Sequence, residues 1–345
     1  MRKFLFPLLF LLAMAGIVAA YYLKMEYPAV AKETAEKQVI KVGYFPNITH
    51  SQALVGISNG IFQKFLGDNI TIKTIIFNAG PSEIEALFAG EIDIGYIGPS
   101  PAINGYIKSR GEALKIISGA TSGGASLVVQ PEIYSLYQKE NDQALEGRKI
   151  SSPQQGNTHD ISLRHYLKEK NLLEKTQVVP IANADQLTMF VQKQLDGAWA
   201  PEPWASRLII EAGGKRIIDE RDLWPEKKFC TANVIVSTEF LKEHPDLVKK
   251  WLAGHLEVTN WIKANSDEAR QIVNAEIEKL TTKKLPEDVL KEAWQMIDVD
   301  IDPVKDSVFT FADWAADQGF LGDQKPDLIN LYDLSILNEV ANTKY

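Results

Sequence analysis

Two serines set the chemistry open to this sequence. Ser82 stands in Phe77-Asn78-Ala79-Gly80-Pro81-Ser82 and Ser100 in Ile97-Gly98-Pro99-Ser100-Pro101. Each lies where an apolar, strand-like run gives way to a helix-like one. A Ser, Gly and Pro cluster at such a passage offers free backbone N–H groups, a hydroxyl and the positive end of a helix dipole. That combination binds anions without a cationic side chain. Phe45-Pro46-Asn47-Ile48-Thr49-His50 is a third passage of this kind, with Asn47 and His50 as polar candidates. Thr121-Ser122-Gly123-Gly124-Ala125 is a fourth, where two glycines let the backbone approach a ligand closely. Gln155-Gly156-Asn157-Thr158-His159 is a fifth, and its N–H groups would face the others. His50 and His159 either donate to an anion or pack. Trp199 and Glu202, in Trp199-Ala200-Pro201-Glu202-Pro203-Trp204, would wall an apolar tail and accept from an ammonium or guanidinium group. The bland alternatives are helix capping for Ser82 and Ser100, a plain loop for Ser122 to Gly124, and an ion pair with an arginine across the cleft for Glu202.

The elements that position these residues follow from pattern. Val39–Tyr44, Ile70–Phe77 and Ile92–Ile97 read as strands. Ser82 with Glu85 forms a capping box, which predicts a helix starting at Ser82, with Ile84, Leu87 and Phe88 as its apolar stripe and Gly90 as its end. Ser100 reads as the next cap with Pro101 at the first helical position, and Thr49 with Gln52 predicts a helix from His50. Strands are expected at 114–120 and 126–130, with the Gly123–Gly124 segment as a turn between them. Residues 131–147 look polar and loosely patterned. A fresh strand–helix series follows: a strand near 148–151, a helix capped by Asn157 with Asp160, strands at 177–181 and 197–200, and helices at 185–195 and 205–212. Thr231–Ser237 is a strong strand, and the rest is helical in pattern. Alternating strands and helices predict a parallel α/β sheet, in which ligands bind beyond the carboxyl ends of the strands.

Composition narrows the function further. The chain has 345 residues, 45% hydrophobic and 24% charged, with a net charge of −8. It is long enough for two domains with buried cores. Without a basic face it is not expected to bind nucleic acid. Cys230 is the only cysteine, so no disulfide within the chain and no Cys/His zinc pattern can be written; it reads as a small buried hydrophobe. Arg2 and Lys3 precede an uncharged run from Phe4 to Leu23, the pattern of an export signal. That run is either cleaved or retained as a membrane anchor, with 24–37 as a tether, and in both cases the folded body lies outside the cytoplasm. Catalytic patterns fail. Ser100 lacks the second glycine of a nucleophile elbow, and the acidic run from Asp298 to Asp302 has Pro303 where a calcium loop needs Gly.

Five segments in order resemble one family: GYFPNITHSQALVG, FNAGPSEIEALFAGEIDIGYIGPSPA, SPQQGNTHD, WAPEPWAS and LYDLSILNEV near the end. They are similar to solute-binding proteins of bacterial ABC transporters for nitrate, taurine and aliphatic sulfonates. The likeness extends from about residue 39 to about 338. It implies a two-lobed periplasmic-binding-protein fold of type II, with two crossing strands and the ligand cleft between the lobes. Lobe one would be 39–129 with 233–345, and lobe two 130–232. The implied ligand is a small anion, first a sulfonate or taurine, then nitrate, bicarbonate or a thiamine-precursor pyrimidine. The implied partner is a membrane permease. The chain would act as a monomer without metal or cofactor. Enzymes of the pyrimidine-synthase type share the fold and form the alternative reading.

Overall fold

The computed structural model describes residues 14, 21, 38–322 and 327–342. The N-terminal apolar run falls almost wholly outside them. Among the described residues no helix is long and apolar enough to cross a membrane.

Eleven strands occur among the described residues: β1 Gln38–Tyr44, β2 Ile70–Ile76, β3 Ile94–Ile97, β4 Leu114–Gly123, β5 Ala125–Val129, β6 Lys149–Ser152, β7 Gln177–Pro180, β8 Gly197–Pro201, β9 Lys215–Asp219, β10 Cys230–Ser237 and β11 Ile297–Val299. They form two sheets, ordered β11-β4-β10-β3-β1-β2 and β7-β6-β8-β5-β9. Neither sheet is all parallel, as the alternation predicted. β1 pairs with β3 in parallel, but β10 runs antiparallel to both β3 and β4, and β5 antiparallel to β8 and β9. The reason is connectivity. β4 and β5 follow one another with only Gly124 between them, yet lie in different sheets, and β9 leads to β10 in the opposite sense. A chain that passes between sheets enters the second against the direction of its parallel strands.

Gly123 and Gly124 therefore do not form a turn at a strand end. Gly123 closes β4 and Gly124 bridges the sheets, with φ of 75° at each, a left-handed conformation that favours glycine. Space demands glycine as well: a Cβ on Gly123 would stand 2.8 Å from the Met296 carbonyl oxygen.

Side-chain alternation along β10 builds the first sheet's two cores. Ala232, Val234 and Val236 pack with Tyr44, Tyr96 and Trp251 on one face, and Ile235 packs with Ile97, Ile103 and Phe311 on the other. The second sheet is likewise covered on both faces, by Leu163, Tyr166 and Leu167 on one and by Phe190, Ala205 and Leu208 on the other. The stretch 131–147, expected to be irregular, is a helix at Pro131–Glu140 and a 3-10 turn at Asn141–Leu145. Pro131 opens it at the first position, and Ile133 with Leu145 enters the second sheet's core, a gain that polar neighbours hide from the sequence. Residues 39–345 form one compact unit.

Candidate functional site

The helices begin earlier than their serines suggest. One spans Gly80–Phe88 with Ala79 at the cap, and Ser82 is inside its first turn, donating to the Ala79 carbonyl oxygen at 2.8 Å. The next spans Pro99–Lys108 with Gly98 at the cap. Proline suits the first positions of a helix because its missing N–H would be unpaired there anyway. With Pro81 and Pro99 in the first turns, the helices start two residues ahead of Ser82 and one ahead of Ser100. The first turn differs similarly. A 3-10 turn, Ile48–His50, precedes the helix Ser51–Ser58. Its cap is Asn47, whose Oδ1 accepts from Thr49 N at 3.1 Å, and Gln52 donates instead to the Ala120 carbonyl. The helix Thr158–Glu169 starts as expected, with Asn157 Oδ1 accepting from Asp160 N at 2.9 Å.

Freeing Ser100 from capping has a consequence. Its hydroxyl is buried and has no hydrogen-bond partner. Its N–H donates to Thr158 Oγ1 at 3.3 Å, which joins the turn after β3 to the helix that follows β6 of the second sheet. A Cβ on Gly98 would stand 3.1 Å from the same Thr158 oxygen, and one on Gly80 would stand 2.3 Å from Pro101 Cγ. Three helix N-termini, at Gly80, Pro99 and Thr158, therefore meet.

Thr231 connects them to the crossing strands. Its carbonyl oxygen would lie 3.6 Å from a Cβ on Gly98, and its hydroxyl donates to the Gly123 carbonyl. Asn47 and His50 join this group through Thr49, whose carbonyl accepts from Thr121 Oγ1 at 2.7 Å, beside Ser122. Gly124 O accepts from Glu202 N at 2.8 Å. Sequence reasoning missed Thr231; its one signal was a hydroxyl at the mouth of an apolar strand.

The histidines bring no positive charge here. His50 is buried, stacks on Phe45 at 4.6 Å and accepts from Phe45 N at its Nδ1; burial lowers it to about 3. His159 has its Nε2 enclosed without a partner, and burial lowers it to about 4. Both are neutral at pH 7. A neutral imidazole still carries one N–H, so any donation to an anion here comes from uncharged groups.

Trp199 and Glu202 stand elsewhere than a cleft wall. Trp199 is 0% exposed, packs on Tyr166 at 5.7 Å in the second sheet's core and donates from Nε1 to Glu220 Oε2 at 2.7 Å. Enclosed in that core, it shows no accessible surface in this structure. Glu220, which the sequence did not single out, also receives Ser162 Oγ at 2.7 Å; burial pushes it up to about 7. Glu202 accepts from Ser206 N at 3.0 Å and pairs with Arg216 at 3.4 Å. Arg216, on β9 of the same sheet rather than across a cleft, in turn pairs with Glu292 at 3.0 Å. Burial pushes Glu202 up to about 7, against the opposing pull of Ser206 and Arg216.

Two crevices flank the group. Exposed Gln155 lines one of about 420 Å³ with Arg164, Lys168, Gln318 and Phe320. Ser122 lines another of about 510 Å³ with Asp219, Arg221, Lys228 and Asp298. Among the described residues no three His, Cys, Asp or Glu side chains are grouped to hold a metal ion.

A mixed α/β body with two sheets, crossing segments between them and helix N-termini meeting at the crossing has the fold of the periplasmic binding proteins of ABC importers. The chain matches the NMT1-like family over residues 33–277 and belongs to it. It is 27% identical over 71% of its length to a putative binding protein of Brucella abortus, covering 73% of that protein. It is 25% identical to a putative aliphatic sulfonates-binding protein of Bacillus subtilis, over 70% of each chain. The periplasmic nitrate-binding protein NrtA of Synechocystis superposes with a TM-score of 0.75 at 16% identity, covering 89% of each chain.

Proposed function

We propose that this protein is an extracytoplasmic solute-binding protein that captures a small oxyanion, best a sulfonate headgroup such as that of taurine or a short alkanesulfonate, and hands it to an ABC permease. The observation that carries this reading is the buried, unpartnered Ser100 hydroxyl at the meeting of three helix N-termini. A buried polar group without a partner is costly, and an anion arriving there would satisfy it. The Bacillus relative supports a sulfonate. The lobes are then 39–124 with 230–345, and 125–229; sheet membership supports boundaries a few residues earlier than 129/130 and 232/233. Binding rather than catalysis fits Cys230, the one thiol, which is buried with its pKa pushed up by that burial. Location outside the cytoplasm rests on the N-terminal apolar run.

Titration calorimetry with taurine, 1-butanesulfonate, nitrate and bicarbonate tests the reading. Ser100→Ala should weaken the bound anion by about 1.5–3 kcal/mol, the range for a hydrogen bond to a charged group. Binding by wild type that Ser100→Ala leaves unchanged would remove the three-turn site from the proposal. A second reading, nitrate or bicarbonate, is favoured by one observation: Trp199 is in the core, so no aromatic wall awaits a long tail. Tight nitrate and absent sulfonate binding would decide for it.

A further inference from the structure

Beneath the turn that carries Gly80 and Ser82 lies a carboxyl group that the binding site does not use. Glu83, in the first turn of the Gly80–Phe88 helix, is 0% exposed, and neither of its carboxyl oxygens has a hydrogen-bond partner. It fits because the sheet below it lacks side chains. Gly43 on β1 and Gly95 on β3 are register partners, and a Cβ on either would stand 2.7 or 2.5 Å from Glu83 Oε1. Phe77, Ile92 and Ile235, all apolar, lie beside the same two glycines. Two paired glycines under one acid make a cradle, in which any larger residue would displace the helix.

No charge on the surrounding elements is placed to pair with it. On β1, Lys41 is engaged with Asp93 of the β3 approach, through its N–H at 2.7 Å and its ammonium at 3.7 Å. Tyr44 and Tyr96 belong to the core on the sheet's other face. Lys73 on β2 and Glu85 on the same helix are exposed. Cys230, at the far end of β10, is an uncharged thiol, and the Pro99–Lys108 helix presents Pro101 to this turn. Desolvation alone acts on the carboxyl and raises it well above the ordinary glutamate range, so the acid is held protonated.

We propose that Glu83 is a positioning residue for the ligand turns. As a neutral acid it seats the first turn of the Gly80–Phe88 helix on Gly43 and Gly95. Loss of its proton to solvent lifts that turn, and through the Gly80–Pro101 contact it also lifts the N-terminus bearing Ser100. This rests on the oxyanion-site reading above. Proton binding is tighter in the folded state than in the unfolded one. The stabilisation is therefore complete below the unfolded glutamate value and is lost as pH rises through the folded one. In that window Glu83 raises the unfolding equilibrium constant by up to about tenfold per pH unit.

The test uses the full chain as wild type, Glu83→Gln and Glu83→Met, between pH 4.5 and 9. Amide exchange at 79–83 and 98–101, normalised for intrinsic rate and measured without ligand, should lose protection with rising pH in wild type only. Urea unfolding should show the same contrast. The dissociation constant for 1-butanesulfonate, or nitrate if the sulfonate does not bind, should rise about tenfold across the range in wild type and stay level in Glu83→Gln. Glu83→Met keeps the test open if the glutamine variant does not fold. Exchange profiles that coincide in wild type and variants overturn the proposal. So do affinity profiles that coincide while exchange differs, because Glu83 would then be structural only. If exchange follows Glu83 and neither probe binds, the oxyanion reading fails and the proton-held turn stands.

Discussion

The turns that follow β2 and β3 differ from those that follow β6 and β8 in how their buried acids are paired. After β3 the Ser100 hydroxyl is buried and unused, and after β2 the Glu83 carboxyl is buried and unused. In the second sheet the buried acids are paired, although His159 Nε2 and Ser206 Oγ are likewise buried without a partner. Asp160 accepts from Ser152 Oγ at 2.5 Å, from Gly156 N at 2.9 Å and from Arg164 at 2.9 Å. Glu202 is engaged with Ser206 and Arg216, and Trp199 with Glu220. Charged hydrogen bonds of this kind hold a loop in one geometry. The first sheet's turns thus leave an acid and a hydroxyl unpaired while the second sheet's acids are held in fixed pairs, and Thr158 is a point of contact between the two.

That contrast breaks most visibly at Trp199. If it is a core residue, Trp199→Ala should cost about 3–5 kcal/mol in urea unfolding, with or without ligand, because a large side chain leaves a cavity and Glu220 loses a donor. Intact stability combined with loss of long-tailed sulfonates alone would return Trp199 to the binding site.

A smaller effect should come from pH. Glu220, raised to about 7, stabilises below its ordinary value of about 4.5, and that contribution is lost as pH rises through 7. Removing the limb with Glu220→Gln should relieve on the order of 3 kcal/mol above pH 7 relative to wild type. His50 and His255 in the first sheet's half, lowered to about 3 and about 4, act in the opposite direction. They must charge on unfolding, so their contribution is full above about 6.5 and lost as pH falls. Melting temperature against pH should therefore peak between the two limbs, and a Glu220→Gln profile identical to wild type would refute the assignment.

The smallest effect is expected at the edge between the halves. Arg216 of β9 pairs with half-exposed Glu292, carried by the helix Glu287–Gln295. Glu292→Ala should cost under about 1 kcal/mol of stability, since partly exposed pairs are screened. A larger loss would show that the second half's fixed pairs depend on this clamp.

Much of this was legible in the sequence. Strands with alternating or continuous apolar runs, such as β1, β3 and β10, lie within a few residues of their expected places, and Asn157 caps its helix with the predicted partner. The family resemblance and the set of turns followed from local motifs whose physics is local: caps, prolines and glycines act on their immediate neighbours. What local motifs cannot carry is direction across space. Whether Gly123–Gly124 turns back or bridges two sheets depends on which strands β4 and β5 find as partners. Whether Trp199 faces ligand or core depends on which side of β8 is covered by Tyr166 and Glu220. Even Glu83, which the sequence did not single out, is buried only because Gly43 and Gly95, 40 and 12 positions away in the chain, come into register beneath it. The sequence by itself determined which residues could donate, cap or turn. The tertiary structure alone decided which of them remain unpaired, because pairing is settled by partners brought together through sheet register and helix packing.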